Sequence, residues 1–168
     1  MKANLRILCI FLGVSSICLG AKPPQGFKAI FNGKDLSGWW GLKTEDPAKW
    51  MALSPDELKK KKKKASIEDI NKHWRVEEGV LINDGKGLYL STVKNYKDFE
   101  LLVDYKTVAG ADSGIYLRGV PQVQIWDPED KSAHKHGAQK GSGGLWNNKA
   151  TGLGRWPLVM ADKPAGQW

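Results

Sequence analysis

The sequence predicts an all-β fold: an antiparallel sandwich or jelly roll, interrupted by a short helical insertion. Three observations carry this reading. From Trp74 onward, apolar residues alternate with polar ones over short runs. Each run is bounded by Gly, Asn or Asp turns. Eight Trp supply aromatic bulk for a core, a binding surface, or both. The 168 residues argue for one domain. At 41% hydrophobic and 26% charged, the chain lies near the globular average, which excludes general disorder and a multi-span membrane protein. Nineteen Gly without a three-residue period exclude collagen.

Taken in chain order, residues 1–20 read as a signal peptide. Lys2 and Arg6 form a positive start, Ile7 to Val14 is apolar, and Cys18-Leu19-Gly20-Ala21 offers small residues for cleavage. The apolar run is short for a membrane span, although an uncleaved interfacial anchor is the alternative. The expectation is therefore an exported protein, periplasmic or extracellular, with no stable membrane insertion after cleavage. Cys9 and Cys18, the two cysteines, both leave with this segment. The mature domain would then depend on its core rather than on disulfides. Cleavage also removes two of the eight net positive charges.

Residues 21–26 form a Pro- and Gly-containing linker. Phe27 to Phe31 reads as a first strand ended by the Asn32-Gly33 turn, and Asp35 to Trp40 as a tight aromatic loop. Residues 43–73 form the helical, Lys-rich insertion. One helix starts at Ser54, with Pro55 at the first position and Glu57 completing a capping box; another starts at Ser66. The six lysines Lys59–Lys64 suit either an anionic partner or a solvated helix face. No aromatic residue interrupts them as a base-stacking surface requires, so nucleic acid is not an expected partner.

Trp74, Val76, Val80 and Ile82 flank a Glu78-Gly79 turn and predict a hairpin. Leu88 and Leu90 alternate with Tyr89 and Ser91. Phe99 to Lys106 reads as the longest strand, with Phe99, Leu101, Val103 and Tyr105 on one face. Ser113–Arg118 and Gln122–Trp126 read as two more strands. Residues 131–155, rich in Gly, Lys, His and Asn, read as a long functional loop.

The last two strands carry the candidate site. If Ile115, Leu117, Val123 and Ile125 face a core, then Tyr116, Arg118, Gln122, Gln124 and Trp126 share the outer face. Rings stack on the C–H faces of a sugar, and amides and a guanidinium bond its hydroxyls. A plain solvated face would carry the same residues. Asp112 and Asp127 stand at strand ends, where turn-stabilising roles are also common. His134 and His136 lack a third ligand, so neither a metal nor another cofactor is expected. The sequence contains no phosphate loop and no nucleophile elbow.

Several blocks together resemble the 3-keto-disaccharide hydrolase family. They are Gly26-Phe27; Phe31-Asn32-Gly33-Lys34-Asp35-Leu36-Ser37-Gly38-Trp39; Trp74 to Leu81; Phe99-Glu100-Leu101; Asp112 to Arg118; and Val123 to Asp127. Gly143-Gly144-Leu145-Trp146 is similar to a small-residue-plus-aromatic loop of that family, which adds Trp146 to the substrate-binding residues. The resemblance spans residues 26–168. It implies a concanavalin-like sandwich with a concave sugar-binding face, and it implies that family members continue into further strands beyond Trp168. Asp112 departs from the pattern, since many relatives carry Asn there. The implied substrate is a 3-keto glycoside. Its ketone acidifies the C2 proton, a base removes that proton, and the anomeric group leaves before water adds. In this scheme Arg118 stabilises the oxyanion with help from Gln124, Asp127 or His134 shuttles the proton, and Asp112 stands behind them. A non-catalytic carbohydrate-binding module on the same scaffold is the competing expectation.

Overall fold

The computed structural model describes residues 22–119, 121–148 and 154–168. The expected signal peptide and its cysteines lie outside the described residues. Among those described, no helix is long and apolar enough to cross a membrane.

The architecture is mostly β. Strands β1 (Trp39–Leu42) and β4 (Tyr89–Thr92) pair antiparallel, as do β2 (Trp74–Glu77) with β3 (Val80–Asn83) and β5 (Asp112–Tyr116) with β6 (Gln122–Trp126). These are small two-stranded sheets; the described residues do not join them into the two facing sheets of a sandwich. Helices α1 (Pro47–Met51), α2 (Pro55–Ala65) and α3 (Asn71–His73) fall within the predicted insertion.

The β2–β3 hairpin turns at Glu78 (φ 49) and Gly79 (φ 79), as its sequence indicated. Two successive left-handed residues match the twist of the flanking strands. The first strand is displaced. Residues 27–31 carry no ladder, whereas β1 forms in what read as an aromatic loop. The cause is local. Asn32 Oδ1 accepts from the Lys34 and Asp35 amides, and Asp35 Oδ1 accepts from the Ser37 amide. The turn therefore extends to Ser37, and pairing begins only after it.

Helix α2 starts as expected. Glu57 N–H donates to Ser54 Oγ, and Ser54 N–H donates to Glu57 Oε2 at 2.9 Å. Such a cap contributes about 1 kcal/mol. Ser66 does not start a second helix. The chain continues from α2 through a π-helical turn, Ser66–Ile70, into α3, and Ser66 accepts no capping bond. The extra helix α1 is capped instead by Asp46, whose Oδ1 accepts from the Ala48 amide.

The insertion is more than a docked ornament. Ile70 is 1% exposed and Trp40 2%, and both belong to the core. Gly41 has no room for a side chain: a Cβ there would lie 2.7 Å from Ile70 Cγ1. Two lysines of the run turn inward. Lys61 Nζ pairs with Glu45 at 2.7 Å, and Lys62 Nζ lies 5.2 Å from the Trp40 ring centre. Lys59, Lys60, Lys63 and Lys64 are solvated.

Phe99–Lys106, expected as the longest strand, is in no ladder. Its alternation is still expressed. Phe99, Leu101, Val103 and Tyr105 line one side of an open cavity of about 340 Å³, and Ile115, Val123 and Ile125 line the other. The apolar faces meet, but this segment's backbone finds no strand partner among the described residues.

Candidate functional site

The site is built on the β5–β6 hairpin. Cross-strand partners in an antiparallel pair share a face. The register pairs Asp112 with Trp126, Gly114 with Gln124, and Tyr116 with Gln122. These six residues form one face; Ser113, Ile115, Val123 and Ile125 form the other. The predicted segregation of polar and apolar side chains is therefore present.

Residues 143–146 extend the face. Gln124 N–H donates to Gly144 O at 2.9 Å, Trp146 N–H donates to Gln122 O at 2.9 Å, and Val123 pairs with Leu145. This register puts Trp146 beside Gln122 on the polar face. The indole of Trp146 stands edge-on to Trp126, with centroids 5.3 Å apart. The loop expected at 131–155 is thus partly ordered as a third extended segment on β6.

A chain of amides runs across this face. Gln122 Nε2 donates to Gln124 Oε1 at 2.9 Å, and Gln124 Nε2 donates to Asp112 Oδ1 at 2.7 Å. Gln124 is 4% exposed, so its amide is fixed by these bonds rather than by water. Gly114 makes the chain possible: a Cβ there would collide with the Gln122 side chain and the Val123 carbonyl. Asp112 is exposed at the edge of the network, its orientation set by Gln124. Tyr116 lies edge-on to Tyr89 of β4, with centroids 5.3 Å apart.

The other predicted residues sit elsewhere. Arg118 is not on a strand. β5 ends at Tyr116, Leu117 N–H donates to Pro121 O, and Arg118 (φ 56) and Gly119 (φ 91) form the head of the hairpin. The strand predicted to reach Arg118 ends earlier because two left-handed residues cannot continue a ladder. Arg118 is exposed and makes no hydrogen bond or ion pair with the described residues. Asp127 is 6% exposed, and its carboxylate is committed to backbone. Oδ2 accepts from Gly110 N–H at 2.9 Å and Oδ1 from Glu129 N–H at 3.0 Å. His134 lies in a short 3₁₀ turn, Lys131–His136, and its Nε2 bonds Pro128 O at 2.9 Å. Asp130 caps that turn. The Ser132 hydroxyl and amide on its carboxylate hold its pKa below the ordinary carboxylate range.

A second concavity adjoins Trp146. Its volume is about 440 Å³, and Trp146, Arg155 and Trp156 are among the residues lining it. Arg155 Nη1 donates to Trp146 O at 2.8 Å and Asn148 O at 2.7 Å. The guanidinium lies 4.4 Å from the Trp146 ring centre and 5.0 Å from that of Trp156. Neither Arg155 nor Trp156 was legible as a site residue. They follow a Gly-rich loop with no periodicity to orient them, and the adjacent Arg-Trp pair was the only available signal. No cluster of metal-ligating side chains occurs among the described residues.

The hairpin thus carries one exposed carboxylate, Asp112, on its polar face; Trp126, expected on an outer face, is instead 3% exposed with its Nε1 donating to Gly141 O, because residues 141–146 cover it. The family model of the 3-keto-alpha-glucoside-1,2-lyase-like domain matches residues 26–168, and the chain belongs to that family. No curated protein and no solved structure matches the chain.

Proposed function

We propose that this protein is an exported enzyme that cleaves 3-keto glycosides by elimination followed by hydration. Membership of the 3-keto-α-glucoside-1,2-lyase-like family supports the substrate class. The observation that carries the reading is the Asp112–Gln124–Gln122 chain, with Tyr116 and Trp146 on the same face and Trp126 buried beneath it.

The base is placed at Asp112, the position where this chain departs from the family resemblance by carrying a carboxylate, and there it takes the C2 proton. Among the predicted acids it is the one on the polar face with an exposed carboxylate, and Gln124 fixes its direction. The electrons of the C2–H bond move into the ketone, forming an enolate at O3. Arg118 does not serve that oxyanion: it stands at the head of the hairpin, and the whole of β5, about 13 Å at about 3.3 Å per residue, separates it from Asp112. The enolate then collapses, the C1–O bond breaks, and the departing oxygen takes up the proton that Asp112 removed, which leaves the carboxylate ionised again. Addition of water across C1 and C2 restores the 3-keto sugar, so the net reaction consumes one water. Asp127 keeps the 110–129 corner in shape rather than moving protons, because both its oxygens already hold backbone amides.

Release of nitrophenol from 4-nitrophenyl 3-keto-α-glucoside tests the reading. Asp112→Asn keeps the Gln124 bond and removes the base; kcat falls by about 10² or more. Undiminished turnover by that variant removes Asp112 from the chemistry. Binding without turnover in the parent protein supports the non-catalytic carbohydrate-binding reading. That reading is favoured by the backbone bonds that already occupy Asp127 and His134.

A further inference from the structure

The concavity beside Trp146 has a chemistry distinct from that of the polar face it adjoins. Lys135, Lys140 and Arg155 line it together with His134 and His136, and no carboxylate is among its described lining residues. The two cations nearest its rings are held in place. Lys140 Nζ lies 3.9 Å from the Trp156 ring centre, and the Arg155 guanidinium is stacked near both indoles while two main-chain carbonyls grip its Nη1. Trp146 and Trp156 meet edge-on at 72°, with centroids 6.4 Å apart. The surroundings are closely packed. Gly137 has no room for a Cβ against the Trp156 ring, and Gly144 has none against the Arg155 main chain.

Three cationic side chains around a concavity whose described lining holds no carboxylate favour an anionic ligand. The volume, about 440 Å³, is in the range of small-ligand pockets and accommodates one sugar ring with its substituent. Trp146 links the two regions: its register places it on the polar face beside Gln122, and it also lines the cationic concavity. We infer that this concavity is a subsite for an anionic sugar unit, carboxylated or sulfated, next to the unit held on the Asp112–Gln124 face. The inference rests on the carbohydrate reading above, but it adds a charge requirement which that reading does not contain.

Tryptophan fluorescence titrations on the full chain test it. The probes are methyl α-glucoside, its 6-carboxylate (the methyl glucuronoside) and its 6-sulfate. The expected result is tighter binding of at least one anionic glycoside, by about tenfold over the neutral one, with a preference that weakens as salt is raised. Lys140→Glu, at an exposed position, is expected to erase the preference. A melting curve matching the parent's shows that the variant remains folded, and Lys140→Gln provides a milder second variant. Equal affinity for all three glycosides overturns the inference, as does a preference that survives both variants. Inorganic sulfate binding as tightly as the sulfated glycoside also overturns it, because the site then recognises a bare anion. Failure of 3-keto-glucoside turnover leaves these binding results unaffected, so the two readings fail separately.

Discussion

Single residues divide the candidate site into groups that are free to react and groups that are already occupied. Asp112 and Asp127 looked alike in the sequence, each a carboxylate at a strand end. Burial and backbone bonds separate them: Asp127 is enclosed and doubly bonded, while Asp112 is open and oriented by one amide. Neither feature has a sequence signature, because both depend on where Gly110 and Gln124 arrive in space. Gln122, Gln124 and Tyr116 were legible because strand alternation assigns them to one face. Arg118 was legible as a candidate but not in its position, since a left-handed conformation at a non-glycine residue is set by the hairpin.

Four other carboxylates have depressed pKa values, each from a local hydrogen bond. The donors are the Asn32 amide on Asp35, the Ser54 hydroxyl on Glu57, His73 on Asp84 and the Ser132 hydroxyl on Asp130. A carboxylate with a lower pKa in the folded state stabilises the protein above its unfolded pKa. That contribution is lost as the pH falls through the folded value. The melting temperature is therefore expected to hold steady on acidification to about pH 5 and to drop below about pH 4. A melting temperature unchanged down to pH 2 contradicts these assignments.

At the level of elements, hairpins with tight turns were the most legible. Local sequence determines both the turn and the register of β2–β3, and β6 occupies the residues predicted for it. Elements that depend on distant partners were less legible. β1 pairs with β4 some fifty residues away, and the 99–106 segment reveals its apolar face but not its lack of a ladder. The insertion's attachment was also hidden. Asp69 Oδ1 accepts from Leu88 N–H at 2.6 Å, and His73 Nδ1 lies 3.0 Å from Asp84 Oδ2, so the helices clasp the turn before β4. Gly87 (φ 82) lies under that clasp, where a Cβ would fall 2.6 Å from Asp69 Oδ1 and 2.9 Å from His73 Cβ. Gly87→Ala combines backbone strain with this collision and is expected to cost about 1–3 kcal/mol or more, read from a denaturant midpoint. A midpoint equal to the parent's would show that the insertion is not fastened there.

At the scale of the whole molecule, the described residues make a β-rich assembly of small sheets with limited full burial. Only Trp40, Ile70, Ile125, Trp126 and Ala138 are buried large or small apolar side chains among them. Phe99, Leu101, Val103 and Tyr105 remain between 37% and 50% exposed along the open cavity. A contiguous apolar surface of this kind binds environment-sensitive dyes and promotes self-association. The 168-residue chain is expected to enhance the fluorescence of an anilinonaphthalene dye under native conditions, and Leu101→Lys with Val103→Lys is expected to reduce the signal. No enhancement in the parent would mean that the cavity is covered. The sandwich expected from alternation requires partners for these faces, and hydrophobic periodicity alone does not specify them. Family membership is the feature that was legible across nearly the whole chain.

The central claim is that the exposed carboxylate of Asp112, aimed by Gln124, removes the C2 proton of a 3-keto sugar. Its most direct test is proton magnetic resonance of methyl 3-keto-α-glucoside in D₂O with the full chain. The account predicts loss of the C2–H signal by exchange or elimination with the parent protein, and its persistence with Asp112→Asn. Equal loss of the C2–H signal with parent and variant, or no loss with either, would contradict it.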